Sequence, residues 1–195
     1  MTTTRKTLLD RVKDRDDNEA WTEFYGLYAP LLFRYARARG LREGDADEVR
    51  DECLEVIARK MGDFEYDRSR GRFKGWLYRI ASGKVVDLLR KRQEVRADTG
   101  DLMSVPDPAP TPDEVWQREW KEEHLRQSLE RARRRVPTRD FEVFRMLLEE
   151  ECPVPEVCDR LGINANQVYK AKGRVLRRVR EALDTIDPGF PPVDP

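Results

Sequence analysis

Apolar residues recur along this chain at mixed intervals of three and four, the spacing that lines one face of an α-helix. In residues 19–40, "EAWTEFYGLYAPLLFRYARARG", the repeat runs through Trp21, Phe24, Tyr25, Tyr28, Leu31, Leu32 and Tyr35, and Gly40 suits a helix C-terminus. Pro30 falls inside this segment, where a proline kinks or divides a helix. Residues 45–61, "DADEVRDECLEVIARKM", carry one stripe of Val49, Cys53, Val56 and Ile57 with acids on the remaining surface. After a loop, "GDFEYDRSRGR", a third helix is predicted over 72–92 with Trp76, Leu77, Ile80, Ala81, Val85, Leu88 and Leu89 facing inward.

The periodicity then stops. "QEVRADTGDLMSVPDPAPTPDE" carries Pro106, Pro108, Pro110 and Pro112, and alternate prolines exclude a helix interior and favour an extended, semi-rigid segment. Helix is expected again from about Val115, with Trp116, Trp120, Leu125, Leu129 and Ala132 in register. In "TRDFEVFRMLLEEE", Thr138 is the expected N-cap, and Phe141, Phe144, Leu147 and Leu148 form the stripe. "PEVCDRLG" reads as a short helix begun at Pro155 and ended by Gly162, with Val157, Cys158 and Leu161 inward. Asn164 then caps a second helix, with Gln167 completing a capping box and Val168, Ala171, Val175, Val179 and Leu183 on its apolar face. The chain contains no strand signal and no internal repeat. The expected class is all-α: two small helical domains, 1–94 and 114–184, joined by a Pro-rich linker at 95–113, the second with a helix-turn-helix, followed by a flexible tail at 185–195.

Composition narrows the function classes. Apolar residues make up 38% and charged residues 39%, with a formal net charge of zero, which fits thin-cored helical domains with charged surfaces. No apolar run approaches the ~18 residues of a membrane span, and the N-terminus lacks a signal-peptide apolar region, so the cytoplasm is the expected compartment. Cys53, Cys152 and Cys158 form no CxxC and read as reduced thiols in or near a core. His124 is the sole histidine, which excludes most His-based metal sites and Ser/His/Asp catalysis.

Three charge clusters remain. The last helix carries Lys170, Lys172, Arg174, Arg177, Arg178 and Arg180 with no acid among them. Asn166, Gln167, Tyr169 and Lys170 stand near its start, where a helix-turn-helix reaches base edges, and the later cations suit phosphates. The alternative is a solvated face in an ordinary bundle. The second cluster interleaves Arg68, Arg70, Arg72, Lys74, Arg79, Lys84, Arg90, Lys91 and Arg92 with Phe73, Trp76 and Tyr78, a pattern that suits single-stranded or melting DNA, although Trp76 reads as a core residue. The third is acidic: Asp45, Asp47, Glu48, Asp51, Glu52 and Glu55. It admits a docking surface for a basic partner, a solvated face or, less well without histidine or a second acidic helix, a two-metal site.

These segments, in this order, resemble the bacterial extracytoplasmic-function (ECF) sigma factors of RNA polymerase, of the sigma-70 family. "AWTEFYGLYAPLLFRYARARG" is similar to the opening helices of that family, "DADEVRDECLEVIARKMGDFEYD" to the helix that binds the polymerase clamp, "RFKGWLYRIASGKVVDLLRKR" to the promoter-melting and minus-ten helix, and the stretch from Val136 to Leu183 to the minus-thirty-five domain. The resemblance implies that Glu48, Asp51, Glu52 and Glu55 dock on polymerase. It implies that Arg72, Lys74, Tyr78, Arg79, Ser82 and Lys84 lie near minus-ten DNA, and that the Asp63–Gly71 loop captures a flipped base. Asn164, Asn166, Gln167, Tyr169, Lys170, Lys172, Arg174, Arg177 and Arg178 would then bind the minus-thirty-five element. The implied partners are core RNA polymerase and promoter DNA, with an anti-sigma factor an open candidate; no cofactor, metal or catalytic activity is implied.

The sequence departs from the family pattern at two places. Ser82-Gly83 stands where Arg-Asn is common, and "QVYKAK" places Ala171 where Thr-Val-x-Ser-Arg has its Arg. The family's promoter sequence therefore does not transfer at the minus-ten step, and the expected minus-thirty-five sequence is an unusual one. The competing readings are a stand-alone helix-turn-helix regulator and a metal-dependent nuclease or phosphohydrolase built on the acidic helix.

Overall fold

The computed structural model describes residues 4–64, 73–99 and 110–186. Among these, all regular structure is helical: α1 (Thr4–Arg11), α2 (Asn18–Ala38), α3 (Glu43–Lys60), α4 (Phe73–Thr99), α5 (Pro112–Arg133), α6 (Thr138–Leu148), α7 (Val154–Leu161) and α8 (Ala165–Ile186). Residues 6–123 group by their contacts into one unit and those from His124 onward into a second, the division falling inside α5. Of the expected linker at 95–113, residues 100–109 lie outside the described residues, 95–99 complete α4, and Pro112 and Asp113 open α5. Of the expected tail at 185–195, Thr185 and Ile186 belong to α8 and the rest lies outside the described residues.

In the first unit, α2, α3 and α4 pack on one another. Asp17 starts α2 by accepting from the Ala20 backbone N–H at 2.9 Å and is held by Arg11 at 2.8 and 2.9 Å. α2 runs unbroken through Pro30. The carbonyl that Pro30 deprives of a helical donor belongs to Gly26, which is exposed and open to water, while Ala29, Leu31 and Leu32 are buried and hold the turn. Gly40, at φ 88°, ends the helix: its N–H bonds to the Arg37 carbonyl and that of Leu41 to the Ala36 carbonyl, a Schellman closure.

Rings fill the centre of this unit. Phe73 lies 6.1 Å from Phe24, 5.1 Å from Tyr28, 5.8 Å from Phe64 and 5.6 Å from Trp76, centroid to centroid. The first half of α5 joins them: Trp116 meets Tyr35 edge-on at 5.2 Å, and Trp120 lies 6.3 Å from Tyr28. α5 begins earlier than the periodicity suggests because Thr111 and Glu114 form a capping box, with Thr111 N–H donating to the Glu114 carboxylate at 2.8 Å. That N–H, then the Thr111 hydroxyl, hold the Glu114 carboxyl below its usual range. On α4 the buried row is Phe73, Leu77, Ala81 and Val85, whereas Trp76, Ile80, Leu88 and Leu89 are half-buried at its flanks.

In the second unit α6 packs against both α7 and α8. Phe144 joins Ala132, Val175, Val179 and Leu183 in one cluster, and Val143 and Met146 join Val157, Val168 and Ala171 in another. Serving two neighbours shifts the buried face of α6 from the expected Phe141, Phe144, Leu147 and Leu148 towards Val143 and Met146, and leaves Leu148 51% exposed. Thr138 is not the N-cap; Pro137, already extended at φ −56° and ψ 141°, takes that position and Thr138 is the first helical residue. Gly162, at φ 60°, ends α7 in the left-handed conformation that glycine tolerates best.

Phe73→Ala is expected to destabilise the first unit by about 3–5 kcal/mol, measured by denaturant unfolding, because four rings lose a shared neighbour. Gly173 lies exposed within α8 and a Cβ there would meet nothing within 4 Å. Gly173→Ala is therefore expected to stabilise the second unit by about 0.5–1 kcal/mol in the same assay.

Candidate functional site

The turn between α7 and α8 is built as a presentation device. Asn164 N–H donates to Gln167 Oε1 at 2.9 Å and Gln167 N–H donates to Asn164 Oδ1 at 3.0 Å, so the predicted capping box forms in both directions. The two side chains hold the start of α8, and each keeps an NH2 group for another partner. Asn166, Tyr169 and Lys170 project beyond them; Tyr169 is 60% exposed. The helix start therefore offers backbone N–H groups, amides, a phenol and an ammonium with no acid in its first turn, a surface matched to a polyanion and to base edges.

The later cations of α8 divide. Arg177 is exposed and Lys172 half-buried. Arg178 pairs with Glu181 at 2.7 Å. Arg174 makes a two-pronged bond to Asp140 of α6, at 2.6 and 2.7 Å, which raises its already high pKa. Asp140 is only 6% exposed, and a buried carboxylate requires such a partner. Arg174, expected on phosphate, thus fastens α8 to α6. Ala171 is 3% exposed, within the Val143–Met146–Val157–Val168 cluster. The departure at that position therefore removes no side chain from the outer face of this helix, and the expectation of an unusual minus-thirty-five sequence loses that support.

The expected minus-ten residues do not share one face of α4. Lys84 bonds Glu52 of α3 at 2.9 Å, a contact that raises its pKa. Lys74 bonds Gln117 and lies 5.2 Å from the Trp120 ring, both on α5. Tyr78 is half-buried between Tyr35 and Trp116, at 6.3 and 5.7 Å. Among the described members of the set Arg79 alone is exposed; Ser82 is half-buried and its hydroxyl donates to the Arg79 carbonyl at 3.5 Å. Arg72 and residues 65–71 of the expected base-capture loop lie outside the described residues.

The acidic residues of α3 are partly neutralised from within. Arg92 of α4 pairs with Asp45, Arg50 pairs with Asp47 and with Asp51 (2.8 Å for the latter), and Lys84 takes Glu52. Glu48 and Glu55 are exposed and make no ion pair among the described residues. No group of three or more His, Cys, Asp or Glu side chains among the described residues is placed to hold a metal ion. Cys53 is buried on the inner face of this helix, and burial pushes its thiol up to about 12. No helix among the described residues is long and apolar enough to cross a membrane.

Residues missed by sequence reasoning are Asp140, Arg174's partner, and Thr111 with Glu114, which cap α5. The second pair was signalled by the T-x-x-E spacing in "TPDE"; the first, thirty-four positions apart in the chain, had no local signal.

Comparison with known proteins matches residues 24–95, which cover most of α2, all of α3 and most of α4, to the family described as Sigma-70 region 2. The ECF RNA polymerase sigma factor SigE of Mycolicibacterium smegmatis is 23% identical over 183 residues, covering 92% of this chain and 68% of that protein. The ECF RNA polymerase sigma factor RpoE of Cereibacter sphaeroides is 25% identical over 179 residues, covering 92% of this chain and 91% of that protein. Among solved structures, CnrH in complex with the cytosolic domain of CnrY covers 93% of this chain and 97% of its own at 20% identity, with a TM-score of 0.39.

The division of cations on α8 has a measurable consequence. Arg174→Gln is expected to lower the urea midpoint of the second unit, by stranding Asp140, while Arg177→Gln leaves it unchanged. Equal midpoints for the two variants would contradict the fastening role of Arg174.

Proposed function

We propose that the chain is a member of the extracytoplasmic-function branch of the sigma-70 family and that it directs promoter-specific transcription initiation by binding core RNA polymerase and two promoter elements. One observation carries this reading: a single chain holds a stretch matching sigma-70 region 2 and, in a second unit, a capped basic helix preceded by a short helix and a tight turn. A factor of this kind performs no bond chemistry. Its work is to place two recognition surfaces on DNA in the spacing that polymerase imposes.

On this reading α8 enters the major groove of the minus-thirty-five element. Asn166, Tyr169 and Lys170 reach base edges, Gln167 offers its remaining NH2, and Arg177 with Lys172 meets phosphates. Arg174 acts one step back, by fixing the rotation of α8 on α6. α4 lies on minus-ten DNA, with Arg79 among its outward cations. Glu48 and Glu55, which make no ion pair among the described residues, dock on a basic surface of polymerase, and Asp51 and Glu52 exchange their internal arginine and lysine for polymerase cations. Charge complementarity of this sort steers association and sets orientation more than it adds raw affinity. The cytoplasm, where polymerase and DNA are found, is the compartment this function requires. An anti-sigma factor is the class of regulatory partner that family membership brings.

The test is reconstitution. The full-length protein is expected to co-elute with purified core polymerase and to direct initiation from a defined set of promoters in a genomic pool. The double variant Glu48→Lys, Glu55→Lys should weaken association with core by roughly tenfold or more and steepen with falling salt. A protein that neither co-elutes with core nor selects any promoter would refute the proposal.

A further inference from the structure

Pro30 stands well inside α2, where it lowers the stability of the helix by leaving the Gly26 carbonyl without its helical donor. The two residues share the wall of a groove of about 300 Å³ between α2 and α3, so that acceptor opens onto the groove. Tyr25, Ala29, Pro30 and Phe33 give the groove an apolar and aromatic lining from α2. Tyr25 is 50% exposed and Phe33 only half-buried, so neither ring is wholly taken up by the core. Glu43, Asp47 and Arg50 line the groove from α3. Arg50 is held by Asp47 and by Asp51, at 2.8 Å for the latter. Glu43 is exposed and makes no ion pair among the described residues. The groove thus offers a carboxylate, a backbone acceptor and two ring faces, while its own cation is engaged.

A guanidinium fits this combination. Its planar fork donates to a carboxylate and a carbonyl at once, and it stacks on aromatic faces; a compact, strongly hydrated ammonium does both less well. Glu43, Asp47, Asp51 and Glu55 follow one another at intervals of four, a single ridge of α3 that leads from the groove to the outward acids of that helix. The groove is therefore continuous with the face proposed above to dock on polymerase. Resting on that reading, we infer that the groove receives one arginine side chain of core polymerase, its guanidinium shared between Glu43 and the Gly26 carbonyl and its stem against Tyr25 and Phe33. Pro30 is then a determinant of partner binding. It exchanges helix stability for a hydrogen-bond acceptor that no side chain of α2 supplies at this place.

The experiment measures association of the full-length chain with purified core polymerase, beside the thermal melting of each variant. Pro30→Ala returns a donor to the Gly26 carbonyl. It is expected to melt at the same temperature or higher and yet to bind core about tenfold less tightly, the effect of one hydrogen bond to a charged group. Glu43→Gln should weaken binding about threefold, as loss of one exposed charge pair does. The double variant should lose less than the product of the two single losses, because both groups hold one guanidinium. A Pro30→Ala chain that binds core as tightly as the unaltered one overturns the inference. Losses that multiply in the double variant overturn it too, since they assign the two groups to separate contacts. A Pro30→Ala chain that melts earlier and binds weakly would make Pro30 a residue of the fold alone and overturn it equally. An unaltered chain that does not bind core refutes the underlying function, and this contact with it, a result distinguishable from the others because it precedes any substitution.

Discussion

The rotational phase of α4 governs what the first unit can present. Phe73, with four rings around it, and Leu77, Ala81 and Val85, each buried, leave the helix a single way to lie on α2 and α3. Once that row is inside, every other side chain of α4 has its direction assigned. Lys74 and Lys84 fall on the flanks, where Gln117 and Glu52 receive them, and Arg92 falls towards Asp45. Arg79, Gly83, Val86 and Arg90 are left facing away from the unit. A helix whose composition reads as a uniform basic patch is thus two surfaces, one bonded to neighbouring helices and one exposed.

The same logic orders the second unit. Val168, Ala171, Val175, Val179 and Leu183 are buried along α8 and fix its rotation, and Arg174 clamps that rotation onto the buried Asp140. The capping box decides where the helix begins, which sets how far Asn166, Tyr169 and Lys170 reach. In both units, then, a function in recognition depends on cores that are small but strictly phased. The chain carries equal numbers of acidic and basic residues, 38 of each. Several of its acids and bases neutralise one another across helix pairs, as Lys84 does Glu52 and Arg174 does Asp140.

Much of the fold was legible because helical periodicity and capping are local. The segments that became α2, α3, α4, α6, α7 and α8 were visible as three- and four-residue repeats, and Gly40, Gly162 and Asn164 with Gln167 marked ends that the backbone geometry bears out. The start of α5 was obscured by its prolines, although Pro112 is harmless in a first turn and Thr111 caps it. Thr138 and the α6 stripe were misplaced because two packing partners, which periodicity alone does not reveal, set that helix's buried face. The candidate site was legible as clusters of charge and illegible as faces. Composition cannot separate Lys84 from Arg79, or Arg174 from Arg177; only the positions of Glu52 and Asp140, on neighbouring helices, do so.

The central claim is that, in the proposed function, this chain meets promoter DNA through the outward face of α4 and not through its inward cations. It is tested most directly by placing a photocrosslinking amino acid singly at positions 79, 90, 74 and 84 and irradiating the holoenzyme on a promoter it selects. Crosslinks to minus-ten DNA are predicted from 79 and 90 and none from 74 and 84. Crosslinking from 84 as strong as from 79 would contradict the account.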